Sequence, residues 1–122
     1  MKILVIKPGQ RPEIQEIDGT LESMQEIVGG LIQAIYPYER PVALVANDEG
    51  KVLGLPPNRG LRDEDGELYD IICGTFFIIG APADSGSFQS LTDIQIQYFM
   101  ELFAIPEMFL VMDGRLLVLP CE

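Results

Sequence analysis

The sequence predicts an α+β fold, in which a mostly antiparallel sheet of about six or seven strands has two helices packed on it. Three features of the chain indicate this class. Short runs of β-forming residues alternate with turn signals over most of the length. Two segments place apolar residues at helical spacing. Strands that follow one another are joined by short turns, which favours antiparallel hairpins.

The N-terminal part of the chain is expected to form a strand, a helix and a second strand. Residues 3–6 are all β-forming and predict a buried first strand. The helix is expected to begin at Thr20, whose hydroxyl can cap it. It is expected to end at Gly29, because glycine readily adopts the left-handed conformation of a C-terminal cap. Residues 31–36 then predict the second strand.

A hairpin is expected in the next segment. Residues 42–46 predict its first strand and residues 51–55 its return strand. The turn between them begins with Asn47 and ends at Gly50, which is expected to supply a positive φ. Two prolines follow, so residues 56–70 are predicted to be a long polar loop.

Residues 71–79 are apolar almost throughout, which predicts one central strand buried on both faces. Gly74 within this run indicates a bulge or a close backbone contact. A loop of small residues leads to the second helix, which Ser90 is expected to cap. The buried face of this helix is predicted to carry Leu91, Ile94, Tyr98 and Leu102, widened by Phe99 and Phe103.

The C-terminal residues 104–122 predict an added hairpin, since two β-forming runs flank Asp113 and Gly114. With this hairpin, residues 1–122 are expected to form a single domain, because the chain is long enough for one hydrophobic core. The apolar fraction of 48% is typical of a folded globular protein.

The chain is strongly acidic. It carries 8 Lys and Arg residues against 19 Asp and Glu residues, a formal net charge of −11. Such a surface is repelled by nucleic acids and anionic membranes, so neither is expected as a direct partner. Two distant cysteines make no disulfide framework, and the N-terminus turns polar too soon for a signal peptide. We therefore expect a cytoplasmic protein.

The residue types argue against several chemistries. The chain has no histidine, which removes Ser-His and Cys-His nucleophiles and argues against a tetrahedral zinc site. No phosphate-binding glycine motif is present. The acids of residues 63–70 could offer oxygens to Ca²⁺, but their spacing departs from the EF-hand pattern, and a solvated loop is the alternative. No enzymatic activity, cofactor or metal is expected.

The prolines at 56 and 57 lead into the first group of candidate ligand-binding residues. Asn58, Arg59 and Arg62 follow them, and arginine can hold a phosphate or a carboxylate in a fork. The alternative is that the two arginines pair with the acids of residues 63–70. Asn47, in the preceding turn, is a further candidate.

Two more groups could contact a ligand. Ser85, Ser87 and Ser90 lie ahead of the second helix, where free amides and hydroxyls can meet an anion. Their alternative role is ordinary helix capping. Arg40, which follows Tyr38, could contact a phosphate or ribose. Tyr36 ends a predicted strand nearby, and its ring, like that of Tyr38, can stack on a nucleobase. Its alternative role is that of an exposed residue at a strand end.

Several short sequences carry a resemblance to a known family. Residues 21–30 read Leu-Glu-Ser-Met-Gln-Glu-Ile-Val-Gly-Gly, and residues 47–59 read Asn-Asp-Glu-Gly-Lys-Val-Leu-Gly-Leu-Pro-Pro-Asn-Arg. Residues 72–80 and 88–93 add to them in order and spacing. From residue 1 to about residue 103 the chain resembles domain-of-unknown-function family 3846, small proteins of phages and bacterial mobile elements.

The resemblance implies an accessory protein of phages, plasmids or their bacterial hosts, and many such proteins counter host defence. The first expectation is therefore a non-enzymatic protein that binds and sequesters a small nucleotide-like signalling molecule in the cytoplasm of a bacterial host cell. Its pocket would combine the 56–62 loop, the 80–90 loop and the strand end at Tyr36, and a homo-oligomer interface could complete it.

Two alternatives remain open at the level of sequence. One is an acidic inhibitor or DNA mimic that blocks a basic surface of a host defence protein, which the net charge of −11 would favour. The other is a carboxylate-dependent nucleotide hydrolase, for which the chain has acids but no histidine.

Overall fold

The computed structural model describes residues 1–121, which form nine strands and two helices. The strands are β1 (Lys2–Ile6), β2 (Glu13–Glu16), β3 (Ile32–Ile35), β4 (Val42–Asn47), β5 (Pro57–Arg62), β6 (Leu68–Cys73), β7 (Phe76–Gly80), β8 (Glu107–Met112) and β9 (Arg115–Pro120), and the helices are α1 (Leu21–Val28) and α2 (Asp93–Leu102).

The strands are divided among three sheets. Five of them form a central antiparallel sheet in the order β2-β1-β7-β4-β3. The pairs β5-β6 and β8-β9 each form a two-stranded antiparallel sheet. The predicted α+β class, antiparallel pairing and two helices are confirmed. The expectation of about six or seven strands in one sheet is wrong, because the hairpins form sheets of their own.

The central strands are covered on both faces, which explains their unbroken apolar runs. On one face, Leu44 and Ile78 pack in a cluster with Phe99 of α2. On the other face, Phe77 packs in a cluster with Met24 of α1. The β5-β6 hairpin adds side chains to the α2 face. The sheet therefore lies between α1 on one side and α2 with this hairpin on the other.

Local signals set both ends of α1. The Thr20 hydroxyl accepts a hydrogen bond from the Ser23 amide at 3.1 Å. Gly29 has a φ of 80° and donates its amide to the Gln25 carbonyl oxygen at 2.8 Å. The predicted cap at each end of this helix is confirmed.

The segment after β4 differs from the predicted hairpin. The Asn47 side chain accepts a hydrogen bond from the Glu49 amide at 2.8 Å, which starts a series of turns where residues 51–55 were expected to form a return strand. Gly50 does not have the predicted positive φ. It is needed for space, because a Cβ here would lie 2.6 Å from the Cys73 carbonyl oxygen.

Residues 56–70 were expected to be a loop, but they contain most of the β5-β6 hairpin. Asn58 anchors β5, since its side-chain amide donates to the carbonyl oxygens of Ile6 at 2.8 Å and Gly74 at 2.9 Å. β5 has a partner strand on one side only. A proline can therefore be its first residue, because the amide that proline lacks is not needed on the unpaired side. Pro56 therefore precedes the strand and Pro57 is its first residue, so the two prolines do not end regular structure.

The apolar run at residues 71–79 forms two strands and not one. β6 and β7 belong to different sheets, and the chain turns between them at Gly74, whose φ is 88°. A Cβ at Gly74 would lie 2.7 Å from Cδ1 of Leu55. The close contact predicted at this glycine is present, but the single central strand is wrong.

The cap of helix α2 is Thr92, two residues later than predicted. The Thr92 hydroxyl accepts a hydrogen bond from the Gln95 amide at 3.2 Å, and the Gln95 side chain accepts one from the Thr92 amide at 2.9 Å. Ser90 does not cap this helix. Its hydroxyl accepts a hydrogen bond from the Lys2 amide at 2.9 Å and so ties the loop to β1.

The buried face of α2 is centred elsewhere than predicted. Ile96, Phe99 and the following Phe103 are buried. Ile94, Tyr98 and Leu102, which were expected on this face, are 77%, 38% and 49% exposed. The exposed face of α2 therefore also carries apolar residues. Apolar residues at helical spacing predict a buried face, so the spacing alone could not identify this face as exposed.

The C-terminal hairpin is confirmed, with β8 and β9 paired from Glu107 opposite Pro120 to Met112 opposite Arg115. Its turn is set by Asp113 and Gly114, with φ values of 52° and 74°. Within residues 1–121, no helix has the length and apolarity needed to cross a membrane.

Candidate functional site

An open cleft of about 660 Å³ lies at one end of the central sheet. Its walls are the connection between β3 and β4 and the loop that follows β7. The residues that line it are Tyr36, Tyr38, Glu39, Arg40, Pro41, Val42, Ala81, Pro82, Ala83, Ser85, Gly86, Ser87 and Phe88. The volume falls within the range of small-molecule sites, roughly 300–1,000 Å³.

The sheet register explains why these two loops meet. Val42 at the start of β4 pairs with Gly80 at the end of β7. The Ala81 amide donates to the Pro41 carbonyl oxygen at 2.8 Å and extends this pairing by one step. The chain entering β4 and the chain leaving β7 therefore emerge side by side, and the cleft forms between them.

Arg40 is the one cation among the residues that line the cleft, and Glu39 is the one acid. The guanidinium carbon of Arg40 lies 3.6 Å from the centroid of the Tyr98 ring. Within residues 1–121 the ion pairs are Lys51 with Asp70 and Arg62 with Glu107, and Arg40 takes part in neither. An aromatic ring thus holds Arg40 without neutralising its charge.

The aromatic residues of the cleft have different surroundings. Tyr36 is 64% exposed, so its ring is free to stack on a planar ligand. Tyr38 packs edge-to-face against Phe99, with ring centroids 5.0 Å apart. Burial raises the pKa of the Tyr38 phenol, and Tyr69 and Tyr98 add to this shift. Tyr38 therefore remains a neutral phenol.

The loop after β7 supplies hydroxyl groups. The Ser85 hydroxyl accepts a hydrogen bond from the Ser87 amide at 3.2 Å, which shapes the turn of the loop. The Ser87 side chain is exposed at the cleft. Phe88 is partly buried against the α1 face of the core and closes the base of this wall. The structure thus brings Tyr36, Ser85 and Ser87 together, as predicted for one pocket.

A comparison with protein families shows which family the chain belongs to. The family model described as "Domain of unknown function (DUF3846)" matches residues 1–104. The chain belongs to the DUF3846 family. No curated protein and no solved structure gives a match to it. The matched part of this DUF3846 protein runs from β1 through α2 and includes every residue of the cleft, while the β8-β9 hairpin follows it.

Arg59 does not lie in the cleft of this DUF3846 protein. It is 1% exposed, so the expectation of an open guanidinium on a loop is wrong. One terminal nitrogen donates to the Asn58 side-chain oxygen at 2.9 Å and the Asn58 carbonyl oxygen at 3.2 Å. The other donates to the carbonyl oxygens of Gln10 at 2.6 Å and Phe103 at 3.0 Å. Burial lowers the pKa of Arg59, and the charge of Glu107 opposes this shift.

Asn58 and Arg59 therefore act inside the DUF3846 domain. Their side chains connect β5 to two other elements. Asn58 binds the carbonyl oxygen of Ile6 at the end of β1, and Arg59 binds that of Phe103 at the end of α2. Arg62 lies at the surface and pairs with Glu107 at 3.0 Å, so the expected pairing with the acids of residues 63–70 is not what the structure has. Arg62 lines a wider groove, which Arg40 also borders and which Tyr98 and the acids Asp63, Glu64 and Asp65 line as well.

Asn47 and Ser90 also lie outside the cleft. Asn47 is buried, and its side-chain amide donates to the Val28 carbonyl oxygen at 3.1 Å at the end of α1. Ser90 is occupied by the Lys2 amide. Of the predicted ligand-binding residues, the cleft therefore contains Tyr36, Ser85 and Ser87. It also contains Arg40, which the sequence places beside Tyr36, and it adds Phe88, which no sequence motif marks.

The acids at residues 63–70 form a structured turn. The Asp63 carboxylate accepts hydrogen bonds from the amides of Asp65 at 2.9 Å and Glu67 at 3.0 Å. Asp70 pairs with Lys51. In the described part of the DUF3846 chain, no group of three or more acids, cysteines or histidines has the geometry to hold a metal ion.

Proposed function

We propose that this protein binds and sequesters a small nucleotide-like molecule in the cleft between the β3–β4 connection and the loop after β7, without transforming it. The observation that carries the proposal is that Arg40, free of any carboxylate partner among residues 1–121, shares one cleft with the exposed ring of Tyr36 and the hydroxyls of Ser85 and Ser87.

Each of these groups suits one part of a nucleotide. The ring of Tyr36 can stack on a base, since every base offers a π-face to an aromatic side chain. Arg40 can hold a phosphate in its planar fork, and the ring of Tyr98 fixes its guanidinium in advance. Ser85 and Ser87 can contact the sugar or phosphate oxygens.

Binding without chemistry is the simpler role for this set of groups. The chain has no histidine, and the cleft has a single acid, Glu39, and no pair of acids that could act as general acid and base. In a phage or mobile element, removal of a signalling nucleotide would counter host defence, and this setting is part of the proposal.

Calorimetry with cyclic nucleotides and ADP-ribose derivatives tests the proposal. We expect heat of binding from the wild type and at least tenfold weaker binding from Arg40→Gln, which corresponds to about 1.4 kcal/mol. The matched control is Arg115→Gln, which removes an exposed arginine from the β8-β9 hairpin, away from the cleft. Equal affinity of Arg40→Gln and wild type, or no heat with any of these nucleotides, would contradict the proposal.

The same samples separate a binder from a hydrolase. Chromatography after incubation should return each nucleotide unchanged. A cleaved product whose rate falls on substitution of Glu39 would favour the carboxylate-dependent hydrolase.

A second candidate is an acidic protein that covers a basic surface of a defence protein. The observation that favours it is the β5-β6 turn, where the side chains of Asp63, Glu64, Asp65 and Glu67 are exposed or partly exposed and form no ion pair among residues 1–121. Association through this turn should weaken steeply as salt rises. Asp63 shapes the turn, so Glu64→Gln with Asp65→Asn is the variant to test, and salt-independent association would exclude this candidate.

A further inference from the structure

The β8-β9 hairpin has one apolar face that nothing in residues 1–121 covers. The alternation of side chains along the two strands places five apolar residues on this face, which we call the outer face. They are Met108, Leu110, Met112, Leu117 and Leu119, and each is between 37% and 56% exposed.

The opposite face of the hairpin is turned toward the body of the protein. Phe109 and Val118 on this face are partly buried. Leu116, further along it, lines a groove together with Leu68 and Tyr69 of the β5-β6 hairpin. Both faces are apolar in sequence. The inner one packs on the body of the protein over part of its length only, since Val111 and Leu116 near the turn are 76% and 45% exposed. The outer one has no partner within the described chain.

Glu107 fixes the direction in which the outer face points. One of its carboxylate oxygens accepts a hydrogen bond from the Gly60 amide at 2.8 Å, and the other accepts one from the Arg62 guanidinium at 3.0 Å. Both contacts lie at the base of β8. The hairpin is therefore held against β5 by its inner side, and the outer face remains directed away from the domain.

The outer face is as large as apolar patches that often have a function. Its five side chains expose roughly 400 Å², which lies within the roughly 300–600 Å² of the largest apolar patch on a typical monomer, and such patches are often functional. An isolated two-stranded hairpin is also marginally stable in water. Because the family match ends at residue 104, the hairpin is not part of the matched domain.

We propose that the outer face binds the same face of a second copy of this chain and so forms a two-fold symmetric dimer. A two-fold interface brings identical patches together, so the patch must be complementary to itself. At a net charge of −11 most of the surface repels its own copy. Residues 108–112 and 116–121 contain no charged side chain, so the two hairpins can approach without this repulsion.

The area available fits a weak and reversible dimer. Two outer faces packed together remove on the order of 800 Å² of side-chain surface, and the ribbon backbone adds to it. This total is below the roughly 1,200 Å² at which stable specific interfaces begin and falls in the class of weak, transient ones. We therefore expect dissociation in the micromolar range. Arg115, opposite Met112 at the turn, would lie at the rim of this interface.

Sedimentation velocity of the full chain, from low micromolar to submillimolar concentration, tests the dimer. The interface variant is the double substitution Leu110→Lys with Leu117→Glu, since these residues are direct cross-strand partners and the new ion pair preserves the hairpin. The control is Val52→Lys with Leu53→Glu, which makes the same charge changes at residues that are 86% and 59% exposed on another surface.

The proposal expects a concentration-dependent dimer in the wild type and the control, and at least a tenfold rise in the dissociation constant of the interface variant with unchanged circular dichroism. A wild type that is monomeric at submillimolar concentration would overturn it, as would a dimer that the interface variant retains. A monomeric wild type that sediments with phosphatidylcholine vesicles would also overturn it and assign the outer face to a lipid surface.

Discussion

The guanidinium carbon of Arg40 lies 3.6 Å from the centroid of the Tyr98 ring. Tyr98 in turn packs edge-to-face on Phe99, with ring centroids 4.9 Å apart, and Phe99 is fully buried. The cation of the cleft is therefore linked through two rings to the core beneath α2. This relationship gives Tyr98 a role on a helix face that is otherwise turned to solvent.

The first prediction concerns this ring. Tyr98→Leu should weaken nucleotide binding about two- to fivefold, because an exposed cation–π contact contributes about 0.5–1 kcal/mol to the position of Arg40. Tyr98→Phe keeps the ring and should bind as wild type does. Calorimetry with the nucleotide that binds the wild type measures both. Full affinity in Tyr98→Leu would show that Arg40 does not depend on this contact.

The second prediction concerns the buried arginine. Arg59→Met should lower the free energy of unfolding by about 3 kcal/mol, because the carbonyl oxygens of Gln10 and Phe103 lose their donor inside the protein. Arg62→Met is the matched control and should cost about 1 kcal/mol or less, since its ion pair with Glu107 is partly exposed. Urea denaturation followed by circular dichroism compares the two, and equal losses would contradict the structural role of Arg59.

The third prediction concerns two glycines without a positive φ. Gly50→Ala should lower the free energy of unfolding by about 1–3 kcal/mol, because its Cβ would lie 2.6 Å from the Cys73 carbonyl oxygen and a backbone atom cannot easily move. Gly86→Ala meets no atom within 4 Å and should be neutral or slightly stabilising. Thermal melts of both variants give the comparison. A harmless Gly50→Ala would refute the close approach of these segments.

The fourth prediction concerns pH. The Asp18 carboxylate accepts hydrogen bonds from the Thr20 amide at 2.9 Å and the Thr20 hydroxyl at 2.7 Å. These two hydrogen bonds lower the pKa of Asp18 below the ordinary aspartate value, and the bond from the Thr20 amide has the larger effect. Because the folded-state pKa is the lower one, the contribution to stability is present at neutral pH and is lost as pH falls through that pKa.

Asp18→Ala should therefore be less stable than the wild type at neutral pH, and the difference should shrink as the solution is acidified below about pH 4. Denaturation curves at a series of pH values measure this convergence. A difference that stays constant down to the acid transition would mean that the charge of Asp18 makes no contribution.

The sequence predicted the elements that local residues specify. Thr20 and Gly29 set the ends of α1, and Asp113 with Gly114 set the C-terminal turn, because each acts through bonds or dihedral angles within a few residues. The break of the apolar run at Gly74 was not predictable, since one buried strand and two strands in different sheets have the same composition.

The candidate site was predictable in part for the same reason. Tyr36 and Ser85 meet because β4 and β7 are neighbours, and their loops were recognisable as polar and aromatic connections. Arg59 was assigned to a ligand because its partners, the carbonyl oxygens of Gln10 and Phe103, lie far from it in sequence. The neighbouring residues in the sequence do not distinguish an arginine that binds backbone carbonyl oxygens from one that binds a phosphate ligand.

Titration of the isotope-labelled protein with ADP-ribose or a cyclic nucleotide, followed by amide NMR shifts, shows whether the cleft binds a nucleotide. We expect the shifted backbone amides to concentrate at residues 36–42 and 81–88, and the side-chain Nε–H signal of Arg40 to shift with them. Absence of shifts for every nucleotide at millimolar concentration, or shifts confined to other residues, would contradict the assignment of the cleft.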